Sequence, residues 1–350
     1  MDETEQDLES PVYDNSERQE PEIIKKKSGK LRFYIIILAS VVLILILLAI
    51  IIPLSIPEEE NPFEGGGKGT PSDPYRIVVC EDLQLMQKYL SKHFALGKDI
   101  NCKDLSFENN NTYNVTKDEN FTGSLNGRGF SIHGLKIQEN GSGGLFAYNK
   151  GLIQNIDFED FDIRGKKVGV VCGANGGQIV DVTAKNGEIK YTSYGGGISG
   201  TNYHAGTHGS ISRCKTDVQV TSDAYYSPGG GGIVGDNFEG KIIHCEVHGY
   251  ITGIHVGGIA GQSTFMGDSS DGEIHHCSTK VTLKPKQTGG GICGISHVDI
   301  QNCSASVDIT GPGTLGGISG HHIGNMSNCK TSGKITGIKD SHTPQQFYGG

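Results

Sequence analysis

Apolar and polar positions recur in a fixed phrase from residue 144 onward. The phrase is Gly-apolar-x-Gly or a close variant: GLFA at 144, VVCG at 170, GISG at 197, GIVG at 232, GIAG at 258, GICG at 291 and GISG at 317. Successive starts lie 26, 27, 35, 26, 33 and 26 residues apart, with Gly349-Gly350 a further 33 along. An apolar column follows each start: Ile156, Val182, Cys214, Cys245, Cys277, Cys303 and Cys329. The residue before each is polar: Asn155, Asp181, Arg213, His244, His276, Asn302 and Asn328. A second apolar site comes a few residues later, at Ile163, Ile189, Val220, Ile251, Leu283, Ile309 and Ile335. Segments between are short, alternating and rich in Val, Ile and Thr, which predicts strands.

A 26-residue unit of short strands cannot bury its own apolar face, so it must stack on its neighbours. At a strand spacing of about 4.8 Å, seven units stack to roughly 30–35 Å. The simplest expectation is an all-β right-handed parallel β-helix, with the five column cysteines as a buried stack. The phrase resembles that of the GLUG-motif family, and so do two upstream segments: residues 69–77 (GTPSDPYRI) with Glu81-Asp82-Leu83, and residues 121–135. The resemblance spans about residues 69–350. It implies right-handed parallel β-helices on extracellular or cell-surface proteins, many of them adhesive, and no transferable catalytic motif.

Phe33–Pro57 is an uncharged, almost wholly apolar run, long enough to span a bilayer. Lys25, Lys26, Lys27, Lys30 and Arg32 precede it and Glu58, Glu59 and Glu60 follow. The positive-inside rule then predicts a type II signal anchor in a plasma or other secretory-pathway membrane, with 58–350 outside or lumenal. The expected organisation is a disordered cytoplasmic tail (1–32), the anchor (33–57) and an extracellular linker (58–74). An N-terminal α/β cap with the first strands (75–143) and the repeats (144–350) complete it, the repeats being expected to continue past the last residue.

The tail carries 9 acids and 6 bases, which leaves 30 acids and 24 bases beyond it, a net of −6. No basic stripe is present, which argues against nucleic acid as a partner. All nine cysteines lie beyond the anchor. Cys80 and Cys102 flank a predicted short helix outside the repeats and are the expected disulfide in an oxidising compartment. Asn110, Asn114, Asn120 and Asn140 head Asn-x-Ser/Thr triplets in loop-like sequence and are candidate glycosylation sites.

Catalytic β-helices need acids gathered on one outer face. The columns one and three residues past the cysteine column do not gather them, and the cluster Glu159, Asp160 and Asp162 reads as solvated surface. His244 and His276 share a column, with His275 beside it, a spacing that two imidazoles need to share a metal. Asn and Asp in the same column point instead to a polar ladder at a turn, so no metal, cofactor or catalytic residue is assigned. Insertions that break the period are the expected binding loops. They carry Tyr203, His204, His208, Tyr225, Tyr226, Phe265, Phe347 and Tyr348, suited to a glycan or protein ligand outside the cell. The expected function is adhesion or ligand binding. The alternatives are a tethered polysaccharide lyase or hydrolase, and a spacer for a further domain.

Overall fold

The computed structural model describes residues 25–55, 61–103, 119–203, 209–222, 228–264, 272–339 and 348–349. Two compact units result, Met1–Glu60 and Asn61–Gly350. The expectation for the acidic tail falls on residues 1–24, outside those described.

The described part of the first unit is helix α1, Lys25–Ser55. Its Ile, Leu and Val residues lie on every side, so it has no stripe to turn toward a core. The segment Lys30–Ile50 is long and apolar enough to cross a membrane, and none of it is buried against protein. At 1.5 Å per residue its 21 residues measure about 31 Å, close to a hydrocarbon core.

The second unit is built of parallel strands, each paired in register with the equivalent strand of the next repeat. One continuous register line runs Lys185, Asp217, His248, Lys280, Ser306, Ser332. A second runs through the interior: Ile153, Ile179, Ile211, Ile242, Ile274, Ile300. All six of these isoleucines are fully buried, and each contributes roughly 1.5–3 kcal/mol. A third line, Ile163, Ile189, Val220, Ile251, Leu283 and Ile309, is as deeply buried.

The strands gather into a 23-stranded and an eight-stranded sheet. The smaller sheet holds the second half of each phrase and the residues after it, from Phe146–Asn149 through Cys293–Ser296 to Ser319–His322. Between the sheets the chain turns at glycines. A Cβ on Gly231 would strike the carbonyl of Val234, and one on Gly257 that of Ala260.

This corrects the expected right-handed parallel β-helix with a separate cap. The architecture is a small four-stranded parallel barrel together with extended parallel sheets. Strands such as Gln178–Gly196, Glu246–Gly257 and Ser278–Gly290 run through what the pattern suggested were separate short faces. The segment expected as a cap is continuous with the large sheet: Tyr75–Ile77 pairs with His93–Leu96, which pairs with Ser124–Asn126. A sequence period fixes what pairs with what, but neither the hand of the winding nor where one sheet ends.

Helix α2, Cys80–Met86, lies between the first two of these strands. The Asp82 carboxylate accepts hydrogen bonds from the Val78 and Val79 N–H groups ahead of it, at 2.9 and 3.3 Å. Cys80 at its start is bonded to Cys102, with Cα atoms 5.4 Å apart.

Candidate functional site

The polar column has a backbone cause. Asn155, Asp181, Arg213, His244, His276, Asn302 and Asn328 all take left-handed conformations, with φ between 54° and 57°. That region costs an ordinary L-residue roughly 1–2 kcal/mol and is visited most readily by Asn, Asp and His. The kink lets the next residue point inward, which is where the cysteines sit. Side chains of the column then meet across repeats. Arg213 donates two hydrogen bonds to Asp181, at 2.7 and 2.8 Å. His244 and His276 stack with ring centroids 4.8 Å apart, and Asn328 donates to Asn302 at 3.2 Å.

Inside that corner Cys214, Cys245, Cys277 and Cys303 are buried free thiols, and Cys329 is partly exposed. The first four donate to the carbonyl two residues back, at 3.3–3.5 Å. Burial pushes the Cys214 thiol well up, and in the smaller sheet it pushes Cys172 to about 12. Cys214 and Cys172 are therefore packing groups rather than nucleophiles, because the reactive form is the thiolate.

A second inner column is polar. Asn149, Asn175, Asn202, Asn237 and Ser263 are fully buried. Each amide donates to the next: Asn149 to Asn175 at 2.7 Å, Asn175 to Asn202 and Asn202 to Asn237 at 2.8 Å, Asn237 to Ser263 at 3.1 Å. Their second N–H groups cap the turn carbonyls of Gly177, Gly209 and Gly240. A buried amide without such partners would cost several kcal/mol.

On the outside, a groove of about 760 Å³ crosses four successive repeats. Its lining includes Asp160, Asp162, Glu188, Asp217, Gln219 and Tyr250. Its floor is low because Gly187 and Gly249 stand where side chains would project. A Cβ at Gly187 would enter the Phe161 ring, and Gly249 has φ 142°. Cations hold most of the acids. Lys103 lies 2.6 Å from Asp160, Arg164 contacts Asp162 at 2.8 Å, and Lys190 contacts Glu188 at 3.0 Å. The hydrogen bond from Lys103 holds the Asp160 carboxyl below the usual carboxylate range. Lys284 lies 5.5 Å from the Tyr250 ring centre. Such a groove offers ionised acceptors, an amide and an aromatic surface at repeat intervals.

A different acid behaves in the opposite way. Asp236, half-buried between the sheets, is pushed up to about 6 by burial, against hydrogen bonds from Thr264 and Tyr194 and the charge of Lys167. Gln262 donates to the Tyr194 hydroxyl at 3.2 Å. No second carboxylate is among the groups acting on Asp236. Among the described residues no three His, Cys, Asp or Glu side chains are set as a ready metal cage.

Of the residues singled out from sequence, His204, His208, Tyr225, Tyr226, Phe265 and Phe347 lie outside the described residues, as do Asn110 and Asn114. Tyr203 ends the strand Ser199–Tyr203 and is half-buried beside Gly176, and Tyr348 pairs with Leu315. Tyr203 does not line the groove. Asn120 and Asn140 are exposed. The column test missed the groove because it counted only one and three residues past the cysteine column, whereas Asp162 and Glu188 pair with each other at the sixth. Beyond the bulge between Lys185 and Gly187, Glu188 meets Gln219, which is the fifth. The pair of glycines 187 and 249 was the available signal. The asparagine column was present in the sequence too, five residues after each of the first four phrase starts.

No family model matches the chain. It is 34% identical over 153 residues to Halomucin of Haloquadratum walsbyi, covering 40% of this chain and 2% of that protein's length. Among solved structures it resembles a candidate immunoglobulin A1 protease from Bacteroides ovatus. That match has a TM-score of 0.52 and 21% identity, over 81% of this chain and 83% of the other. A second structure, described as IgA1 protease, gives a TM-score of 0.46 and 17% identity, over 77% and 21% of the two chains. At these identities the likeness of the first concerns the fold alone, and the second carries no argument.

Proposed function

We propose that this chain is a single-pass membrane protein that displays residues 58–350 outside the cytoplasm as a non-catalytic, glycan-binding surface. The observation that carries this reading is the groove across four repeats. Three of its acids, Asp160, Asp162 and Glu188, are held by neighbouring cations, which makes them acceptors for hydroxyl groups rather than proton donors. The groove also advances one strand spacing, about 4.8 Å, per repeat, a step comparable to one ring of a linear sugar chain. Topology is argued from the basic cluster before α1 and Glu58, Glu59 and Glu60 after it. The Cys80–Cys102 bond fits an oxidising compartment.

A tethered hydrolase is the second reading, favoured by the raised Asp236. Acid–base hydrolysis of a glycoside pairs that acid with a second carboxylate, and none of the groups acting on Asp236 supplies one.

The test is full-length protein in nanodiscs on a neutral-glycan array, with turnover assayed on the same glycans. Binding without turnover, weakened about tenfold by Tyr250→Ala, is the expected result. Turnover, or binding indifferent to Tyr250→Ala and Asp217→Ala, overturns it.

A further inference from the structure

A group of imidazoles stands at the left-handed corner, apart from the groove. Glu273–His275 is a three-residue strand. Alternation along it sends Glu273 and His275 outward while Ile274 is fully buried. In a continuing strand His276 would face the opposite way. Its φ of 55° swings the ring back to the same side. The His275 and His276 Nδ1 atoms are consequently 2.8 Å apart and share a hydrogen bond.

We infer that His275 and His276 form a two-imidazole site for a divalent transition metal of the copper(II) or nickel(II) class. Two ring nitrogens at this separation hold one proton between them, and a metal ion takes its place. With metal–nitrogen bonds of about 2.0–2.1 Å, the 2.8 Å separation subtends about 86–89° at the metal. That is the cis angle of square-planar or octahedral coordination. It is well short of the tetrahedral angle of about 109° that zinc prefers.

The surroundings fit the same role. The other nitrogen of His275, Nε2, lies 3.7 Å from Glu273 Oε2. The second Glu273 oxygen is held by Lys241 at 2.9 Å. A carboxylate behind an imidazole commonly accompanies a metal-binding histidine, and at this distance Glu273 acts as a neighbouring negative charge. His244 of the preceding repeat packs on the His276 ring at 4.8 Å, tilted 34°, and restricts its rotation. Cys245 and Cys277 are buried, so the protein donors are nitrogen alone. Water fills the remaining positions, which leaves them open to a donor from another molecule.

The experiment is a Cu2+ titration of the full-length protein in detergent, followed by electron paramagnetic resonance and repeated with Zn2+. One tightly held equivalent, with hyperfine lines from two imidazole nitrogens and tighter than Zn2+, is expected. His276→Asn keeps a residue the corner accepts, since Asn occupies it at 302 and 328, while removing the donor. It should weaken Cu2+ binding more than tenfold with an unchanged circular dichroism spectrum. Glu273→Gln should weaken it about threefold through the lost neighbouring charge. His244→Asn, the same exchange one repeat away, should change it less than threefold. No binding at 100 micromolar Cu2+, an undiminished two-nitrogen signal in His276→Asn, or tighter binding of Zn2+ overturns the site.

Discussion

Asp236 is a carboxylate whose charge works against the fold. Burial moves its carboxyl from the ordinary 3.8 to about 6, so the folded chain keeps a proton that the unfolded chain gives up. The contribution from this group is therefore fully present below about pH 4 and is lost as pH rises to about 6. Above that the ionised carboxylate costs on the order of 2–3 kcal/mol. Asp236→Asn, which keeps an acceptor for Thr264, should raise the unfolding free energy by that order at pH 7.5 and leave it unchanged at pH 4. Denaturant melts at the two pH values check this, and equal effects at both would show that packing, not charge, dominates. Nothing in the sequence marked Asp236, because its burial arises between two sheets whose meeting the repeat pattern does not describe.

At the scale of the element, two ladders cross several successive repeats, and the sequence reading singled out only the cysteine one. The cysteine stack announces itself because Cys is scarce and recurs at a fixed place. The asparagine column recurs in four successive repeats, but Asn is common in turns and reads as loop chemistry. Burial turns it into structure: an amide between two amides has both hydrogen-bonding ends occupied. Asn202→Ala would orphan the Asn175 donor, the Asn237 acceptor and the Gly209 carbonyl together. It should cost about 2–4 kcal/mol, measurable as a lower urea midpoint. Asn202→Ser should cost less, since Ser263 already closes one end of the column. A loss under about 0.5 kcal/mol for Asn202→Ala would mean that the ladder is solvated. The groove shows why counting along a chain fails at bulges: one added residue near Gly187 separates neighbours in space from neighbours in period.

For the whole molecule, the period led to parallel, in-register pairing but to a mistaken winding. Apolar columns specify contacts between repeats, whereas sheet extent depends on how far each strand continues past its glycines. That property is backbone geometry, with little trace in residue type. The Cys80–Cys102 bond closes a segment with a separation of 22 residues at the start of the large sheet. Removing it with Cys80→Ser and Cys102→Ser together should cost about 3 kcal/mol. Thermal melts of the oxidised and double-variant proteins measure it, and equal midpoints would show that helix α2 is held by packing of Leu83 and Met86 alone.

The left-handed corner has a consequence for how such a chain changes length. Its residue stands in the same place in seven repeats, so adding or removing one whole repeat still sets a left-handed corner against every surviving corner, and only the side chains meeting there are exchanged. A partial repeat would instead carry a charged strand face into the isoleucine column. Growth is thus quantised by the kink, and a lineage carrying this chain can lengthen it by copying whole repeats without disturbing the backbone register.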